Sequence, residues 1–453
     1  MKKNDIVEIT ITGMTTEGNG VGRFNELAVF IPMTAIGDVI NAKITKLQKT
    51  YAYGIIEEII VPSQDRVECD CEVFKACGGC SFRHISYESE LQIKDNFVRD
   101  AFKRIGKLEI PFEEILGSES KDINYYRNKA QYPVAEIDGE LVCGFYSKRS
   151  HRVVPFTSCR LQPKVFQEIV DFIVKKANEL NISAYDEESH TGLLRHIYLR
   201  KGYHTDEIMV CFVVTRWCES ELLPIANALM QQFSDTKSIV MNKNSKDTNV
   251  ILGNECRTIL GSDTIKDIMC DNKIILSPLS FYQVNTFQAE RLYAIVSDFA
   301  DFIGNETVID LYCGAGTIGL SFSKKVKKVI GIEIIPQAIE NAKMNSKINE
   351  IENIEFICGD AGEIATKLAE NGKNPGIVVV DPPRKGCDAN TINAILKMSP
   401  QKVIMVSCNP ATAARDAAIF SQHEYMPIKA RAVDLFPRTT HVETVVLMSR
   451  VKE

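Results

Sequence analysis

Residues 402–410 read Lys402-Val403-Ile404-Met405-Val406-Ser407-Cys408-Asn409-Pro410, an apolar strand that carries one cysteine to its carboxyl end and stops at a proline. A thiol at such an end can serve as a nucleophile, whereas a thiol inside the apolar run would be a small buried hydrophobe. Cys313, Cys358 and Cys387 are read as buried hydrophobes of that kind. Further along, Thr439-Thr440-His441-Val442-Glu443-Thr444 begins a second apolar strand with Glu443 early in it. Partial desolvation there raises a carboxyl group toward the pKa of a useful base. The competing base is His441, two residues earlier on the same face. An edge carboxylate facing water is the ordinary alternative for Glu443.

A second set of groups suits a methyl donor. Asp310-Leu311-Tyr312-Cys313-Gly314-Ala315-Gly316 is a glycine-rich turn after an apolar strand, and the next strand ends in Glu333, whose carboxylate can accept both hydroxyls of a ribose. A dinucleotide would use the same turn. Asp360 closes the third strand and Asp381-Pro382-Pro383-Arg384 the fourth. With no basic group placed for a diphosphate, this acidic crescent favours S-adenosylmethionine. Asp-Pro-Pro also occurs in amino-group methylases, which follow it with an aromatic residue that stacks on the target base; here Arg384 follows. Attention returns to Cys408. Carbon 5 of uracil is a poor nucleophile, and a thiolate that adds to carbon 6 converts it into an enolate able to attack a methyl sulfonium. A base must then take the proton from carbon 5.

A third set lies in Cys69-Asp70-Cys71-Glu72-Val73-Phe74-Lys75-Ala76-Cys77-Gly78-Gly79-Cys80. Thiolates at this density suit zinc or an iron–sulfur cluster, and the two glycines let the backbone fold closely around a centre. Three thiols fit a spacing of five and then two residues. A fourth is needed, and Cys69, Cys143 and Cys159 are the candidates.

These groups have to be positioned by a chain of 453 residues, 45% hydrophobic, which is enough for two or three domains. No apolar run approaches the roughly 18 residues that span a bilayer, so a soluble, cytoplasmic protein without membrane contact is expected. Fourteen scattered cysteines do not form a dense disulfide framework. A net charge of −6 leaves a nucleic-acid partner to be engaged through local basic surfaces. No obligate protein partner is evident.

Residues 6 to about 60 alternate apolar and polar, predicting a five-stranded antiparallel β-barrel. Its Lys43, Lys46 and Lys49 near Tyr51 and Tyr53 could grip single-stranded nucleic acid. Residues 84–117 predict a helix with Leu91, Phe97, Val98, Phe102 and Ile105 on one face. Residues 120–272 form a mixed α+β stretch in which Tyr126-Arg127-Asn128-Lys129 and Lys148-Arg149-Ser150-His151-Arg152 supply positive charge. From 273 onward, strands and helices alternate, and near-continuous apolar strands predict an α/β, doubly wound parallel sheet that binds ligands at its carboxyl edge.

Taken in order, Phe281-Tyr282-Gln283-Val284-Asn285, Asp310-Leu311-Tyr312-Cys313-Gly314, Asp381-Pro382-Pro383-Arg384-Lys385-Gly386, Ser407-Cys408-Asn409-Pro410 and His441-Val442-Glu443 resemble the RNA uracil-5-methyltransferase family. Within it, the chain is similar, essentially end to end, to the bacterial large-subunit (23S) ribosomal RNA enzymes that carry a TRAM barrel and an iron–sulfur cluster. The resemblance implies a class I, Rossmann-like methyltransferase domain with Cys408 as nucleophile and Glu443 as base. It implies that Gln283, Tyr312, Glu333, Asp360 and Asp381 contact S-adenosylmethionine, with Gln283 and Asp381 near the uracil as well. It assigns a 4Fe-4S cluster to Cys71, Cys77, Cys80 and Cys159, with exchange between Cys69 and Cys71 left open. The implied domains are a TRAM-like barrel at 1–62, a central iron–sulfur and RNA-binding domain at 63–83 and 119–272, and a discontinuous catalytic domain at 84–118 and 273–453. The implied partner is RNA, ribosomal first. Transfer RNA, or two ribosomal uridines, would be served by the same motifs. A different class, an RNA-binding or electron-carrier protein without methylase activity, is disfavoured because all the reacting groups are present.

Overall fold

The computed structural model describes residues 1–451. Five strands, β1 (Ile6–Met14), β2 (Asn19–Phe24), β3 (Leu27–Pro32), β4 (Val39–Leu47) and β5 (Tyr51–Val61), close a barrel in the order β1-β2-β3-β5-β4. In β1 every second residue, Val7, Ile9 and Ile11, is buried, because successive side chains point to opposite faces of a strand. The barrel is not wholly antiparallel, however. Its closing pair, β3 with β5, is parallel, since β4 intervenes in sequence and lies on the far side.

The helix expected over 84–117 is shorter. Ser86 caps α1 (Tyr87–Ala101) by accepting from Ser89 N, and a single wide turn, Phe102–Gly106, ends at Lys107 in the left-handed conformation. Ile105 is 52% exposed, off the buried face. Residues beyond it run alongside the sheet, with bridges from Phe112 to Ala430 and from Leu116 to Val433. Pro111 and the glycine at 106 leave no helical continuation.

The central region is one seven-stranded sheet ordered β12-β11-β10-β9-β6-β7-β8. Its strands are β6 (Lys129–Ile137), β7 (Glu140–Tyr146), β8 (Val153–Pro155), β9 (Leu194–Lys201), β10 (Ile208–Val214), β11 (Thr236–Lys243) and β12 (Glu255–Gly261). Helices α2 (Lys164–Glu179) and α3 (Glu219–Gln232) cover one face around Phe166, Ile169, Phe212 and Leu229. A hairpin, β13 (Ile265–Met269) and β14 (Asn272–Leu276), leads on to α4 (Thr286–Ala300).

The last sheet runs β17-β16-β15-β18-β19-β21-β20, with strands β15 (Thr307–Leu311), β16 (Lys328–Glu333), β17 (Ile354–Cys358), β18 (Ile377–Val380), β19 (Lys402–Ser407), β20 (Tyr425–Val433) and β21 (Glu443–Arg450). The first five in sequence are mutually parallel; β21 is inserted antiparallel between β19 and β20. Helices α5 (Thr317–Phe322), α6 (Pro336–Ile348), α7 (Ala361–Glu370), α8 (Ala389–Met398) and α9 (Pro410–Ser421) make the crossovers. The central strands are buried on both faces, as their uninterrupted apolar runs require, but β17 is an edge strand. Cys358 at its end is exposed, not the buried hydrophobe expected; Cys313 and Cys387 are buried.

A buried charge cluster ties α1 to the segment that leads into β21. Lys94, fully buried, donates to Glu90 at 2.7 Å, to Asp434 at 2.7 Å and to the Phe436 carbonyl at 3.1 Å. Tyr87 OH donates to the other Asp434 oxygen at 2.7 Å, and Arg438 N donates to Glu90 at 2.7 Å. Lys94→Met would leave buried Asp434 without its cation and buried Glu90 with only the Arg438 guanidinium, at 3.5 Å. We expect a loss of about 3–5 kcal/mol, read from urea unfolding; a variant as stable as the parent would mean the cluster is dispensable.

Candidate active site

Strand register brings Cys408 and Glu443 together. Ser407 pairs with Thr444 across the antiparallel β19–β21 ladder, so the next residues outward, Cys408 and Glu443, stand opposite one another at its open end. Asn409 makes the strand stop there. It caps α9 by accepting from Ala411 N at 3.1 Å, and its Nδ2 donates to the Arg384 carbonyl at 3.0 Å, fastening the Asp-Pro-Pro-Arg loop beside the thiol. The same loop is held from behind: Asp416 accepts from Cys387 N at 2.8 Å, and Arg415 donates to the carbonyl of Lys385.

Cys408, Glu443, Gln283, Tyr312, Glu333, Asp360 and Asp381 all line one cleft of about 1090 Å³ at the carboxyl edge of the sheet. Glu443 is 5% exposed, and burial, with the nearby Asp381 carboxylate, pushes its pKa up to about 8, opposed by Arg384. Burial alone lifts Asp381 to about 7. Cys408, half-buried, is pushed up to about 11, first by burial and then by the Glu443 and Asp381 charges, while Arg384 acts in the opposite sense. In the ligand-free cleft the thiol is therefore protonated, and a positive charge entering beside Asp381 would favour its ionisation. His441 lines the same cleft with its ring edge-on to Phe436; burial, and then the positive charge of Arg384, lowers its pKa, the opposite direction to Glu443.

Glu333 is fixed by two backbone donors, Gly314 N at 3.2 Å and Ile335 N at 2.9 Å. The turn that presents Gly314 depends on Gly316, at φ 80°, where an added Cβ would lie 2.8 Å from the Phe356 ring. Tyr312 adopts φ 65° and shares a hydrogen bond with Thr391 Oγ1 at 3.1 Å. Asp360 has both a structural and a cleft-lining role: one oxygen caps α7 by accepting from Glu363 N at 3.1 Å. Gln283 is held through its backbone, its carbonyl accepting from Asn128 Nδ2 at 2.8 Å. Asn128 has no signal in the sequence, because its role exists only once the central sheet docks on the loop before α4.

A second cavity, about 190 Å³, is lined by Cys71, Cys77, Cys80 and Cys159. Cys69 and Cys143 are not among its walls: Cys69 turns its sulfur toward the Cys71 carbonyl, and Cys143 packs against the core of the central sheet. Burial pushes Cys80 up to about 12 and raises Cys77 and Cys159, and each of these is raised further by a neighbouring cysteine of the set. Among the described residues, no three histidine, cysteine or acidic side chains converge on a point where one ion could sit. Four thiols on one wall are soft ligands of the kind that hold zinc or an iron–sulfur centre. Arg127 and Lys129 line both this cavity and the cleft. Sequence reading singled them out only as local positive charge.

Comparison with known proteins agrees with this geometry. The tRNA (uracil-5-)-methyltransferase family model matches residues 86–451, and the TRAM domain model matches residues 2–56. RNA methyltransferases of Clostridium acetobutylicum and Clostridium tetani are 42% and 40% identical to the chain. The alignments cover 100% and 99% of this chain and 98% and 97% of those proteins. The crystal structure of Pyrococcus abyssi tRNA (uracil-54, C5)-methyltransferase in complex with S-adenosyl-L-homocysteine superposes with a TM-score of 0.78 at 26% identity, covering 98% of this chain and 100% of that one. No helix among the described residues is long and apolar enough to cross a membrane. With a closed TRAM barrel ahead of a Rossmann-like domain that takes S-adenosylmethionine, the chain belongs to the tRNA (uracil-5-)-methyltransferase family and is an RNA-methylating enzyme.

Proposed function

We propose that this enzyme methylates carbon 5 of a specific uridine through a transient thioether between Cys408 and carbon 6, with large-subunit ribosomal RNA as the leading target. The observation that carries this reading is the convergence of Cys408, Glu443, Gln283, Asp381 and Glu333 on a single cleft. Glu333 holds the donor ribose, Asp381 and Gln283 lie between donor and base, and Arg384 favours the thiolate. The thiol proton leaves to solvent, the thiolate adds to carbon 6, and the enolate takes the methyl group, releasing the neutral thioether product. Glu443 then removes the carbon 5 proton, the carbon 6–sulfur bond breaks, and the thiolate is restored. A uracil stacked in folded RNA cannot reach the cleft, so the target must be unpaired or flipped out. Phe30, Tyr51 and Tyr53 on the barrel, with ring centres 5.6–5.7 Å apart and Lys46 paired to Tyr53, offer a surface for the flanking strand.

Transfer RNA is the second reading. The Pyrococcus abyssi transfer RNA enzyme aligns over 98% of this chain, so the accessory regions do not discriminate between the two RNAs. The deciding experiment is to map 5-methyluridine in ribosomal and transfer RNA from cells with and without the gene. A site lost only from ribosomal RNA supports the leading reading, and unchanged 5-methyluridine in both RNAs would overturn the function.

The same proposal assigns a 4Fe-4S cluster to Cys71, Cys77, Cys80 and Cys159. It would tie the 71–80 loop to the segment after β8 and take no part in methyl transfer. Protein purified without oxygen should be brown and carry roughly four iron and four sulfide per chain, and Cys159→Ser should lose the iron while still binding S-adenosylhomocysteine. One equivalent of zinc in colourless protein would count against the assignment. The domain division follows: barrel at 1–62, central region at 63–83 and 119–272, and a catalytic domain made of 84–118 with 273–453, since α1 packs on α9 and β20.

A further inference from the structure

Residues 126–129 lead into β6 with side chains that line different cavities. Arg127 and Lys129 point to the catalytic cleft and the thiol cavity, whereas Tyr126 and Asn128 line a separate cavity of about 360 Å³ on the other side. This third cavity also has Tyr125, Tyr203, Lys164 and Lys201 in its walls and no carboxylate among its lining residues. Lys201 is paired with Asp206 at the rim, but Lys164 is exposed and has no ion-pair partner among the described residues; its ammonium lies 5.3 Å from the centre of the Tyr125 ring. Tyr125 is set in place at some cost. Its backbone takes φ 59°, unusual for a bulky residue, and its hydroxyl accepts from Arg160 at 2.6 Å. The cavity is one residue from the chemistry, because the Asn128 amide that forms part of its wall also donates to the Gln283 carbonyl at 2.8 Å and to Thr286 at 2.9 Å. Tyr126, on the same wall, donates to the carbonyl of Pro437 at 2.9 Å, in the segment that leads to Glu443.

We propose that this cavity is a nucleobase subsite for a nucleotide of the RNA flanking the target uridine, its base stacked on the tyrosine rings and its phosphate at Lys164. Aromatic faces beside an exposed cation with no ion-pair partner, here Lys164, are the chemistry that holds single-stranded nucleic acid. The volume falls in the range of small-ligand pockets, roughly 300–1,000 Å³, and is ample for one base. An apolar peptide would gain nothing from the lysines, and a free anion would leave the rings unused. The inference rests on the RNA-methylation reading above and adds a place to it: a flanking base seated here reports through Asn128 to the backbone of Gln283, so the pocket reads context while the cleft performs the reaction.

The test uses full-length protein and a short single-stranded RNA of mixed sequence, labelled for anisotropy, together with the same RNA carrying 5-iodouridine for photocross-linking. Tyr203→Ala should weaken RNA binding about tenfold, and Lys164→Gln should reduce the slope of log affinity against log salt by about one. Both variants should bind S-adenosylhomocysteine like the parent, and irradiation should attach the RNA at Tyr203 or Tyr125. If Tyr203→Ala fails to fold, the exposed Lys164 variant and the cross-link map carry the test. Parental RNA affinity and salt slope in the variants, with cross-links confined to other surfaces, would overturn the subsite. A parent enzyme that cross-links at Tyr203 yet forms no 5-methyluridine in any RNA would instead overturn the methylation reading and leave an RNA-binding pocket.

Discussion

Cys408→Ala is expected to lower methyl transfer to RNA by a factor on the order of 10⁴ or more while leaving S-adenosylhomocysteine binding within about twofold of the parent. The expectation follows from what else in the cleft could replace the thiol. Without covalent addition at carbon 6, carbon 5 of uracil is too poor a nucleophile to attack the sulfonium at a useful rate, and no other thiol lines this wall. Cys313 and Cys387 are buried, and burial pushes both thiols well above their usual range; Cys358 lies on the exposed edge strand. The donor contacts of the substitution are few. Glu333 is held by Gly314 N and Ile335 N, and the Asp-Pro-Pro-Arg loop by Asn409 and Asp416, through hydrogen bonds that do not use the Cys408 sulfur. The alanine variant should therefore be folded, loaded with donor and inert. Transfer of radiolabelled methyl to cellular RNA, measured beside a donor-binding titration, gives both readings from one preparation; turnover within tenfold of the parent would rule out covalent catalysis by this residue.

Much of this site is legible in the sequence because strand ends are marked in the chain. Glu333, Asp360, Asp381 and Cys408 each follow an apolar run, and a parallel sheet gathers such positions onto one edge. The fold class was legible for the same reason. Other features depend on distance in space. That Cys408 faces Glu443 depends on β21 being threaded antiparallel between β19 and β20, a choice that apolar periodicity does not encode. The parallel closure of the barrel and the early end of α1 were likewise missed. In the first case alternation reads the same for either strand direction, and in the second an amphipathic stripe runs on past the turn at Lys107. Asn128 and the shared wall of Arg127 and Lys129 could not be read at all, since they acquire meaning only when the central sheet meets the loop around Gln283. Exposure was misjudged at Cys358, because an apolar strand at the edge of a sheet has the same composition as one at its centre.

Glu443→Gln should separate the two halves of the reaction. Addition and methylation do not require the base, so the variant should advance to the methylated adduct and stop, leaving Cys408 bonded to carbon 6 with the carbon 5 proton in place. A protein–RNA species that survives denaturing electrophoresis and carries the labelled methyl group is the expected result, with turnover lowered about 10²–10⁴-fold. An unmethylated adduct would instead place Glu443 before methyl transfer, and absence of any adduct would leave it no role as the base. The same substitution has a signature that misfolding cannot imitate. Burial raises the Glu443 pKa to about 8 in the folded protein, against about 4.3 when unfolded. The folded state thus holds an extra proton between those values, and stability from this group is fully present below about pH 4 and lost as pH rises through 8. Glutamine carries no such penalty. The ligand-free variant should consequently melt higher than the parent at pH 8 to 9, with the gap closing toward pH 5. In the parent, turnover should fall as pH drops through the ionisation of Glu443, since only the carboxylate can accept the proton. A donor cation beside Asp381 shifts that fall to lower pH by favouring both carboxylates in their charged form. An enzyme that gains stability at pH 8 to 9 on Glu443→Gln, and whose fall in turnover with falling pH goes with the carboxyl group, is one in which this group is held out of water in order to be a base.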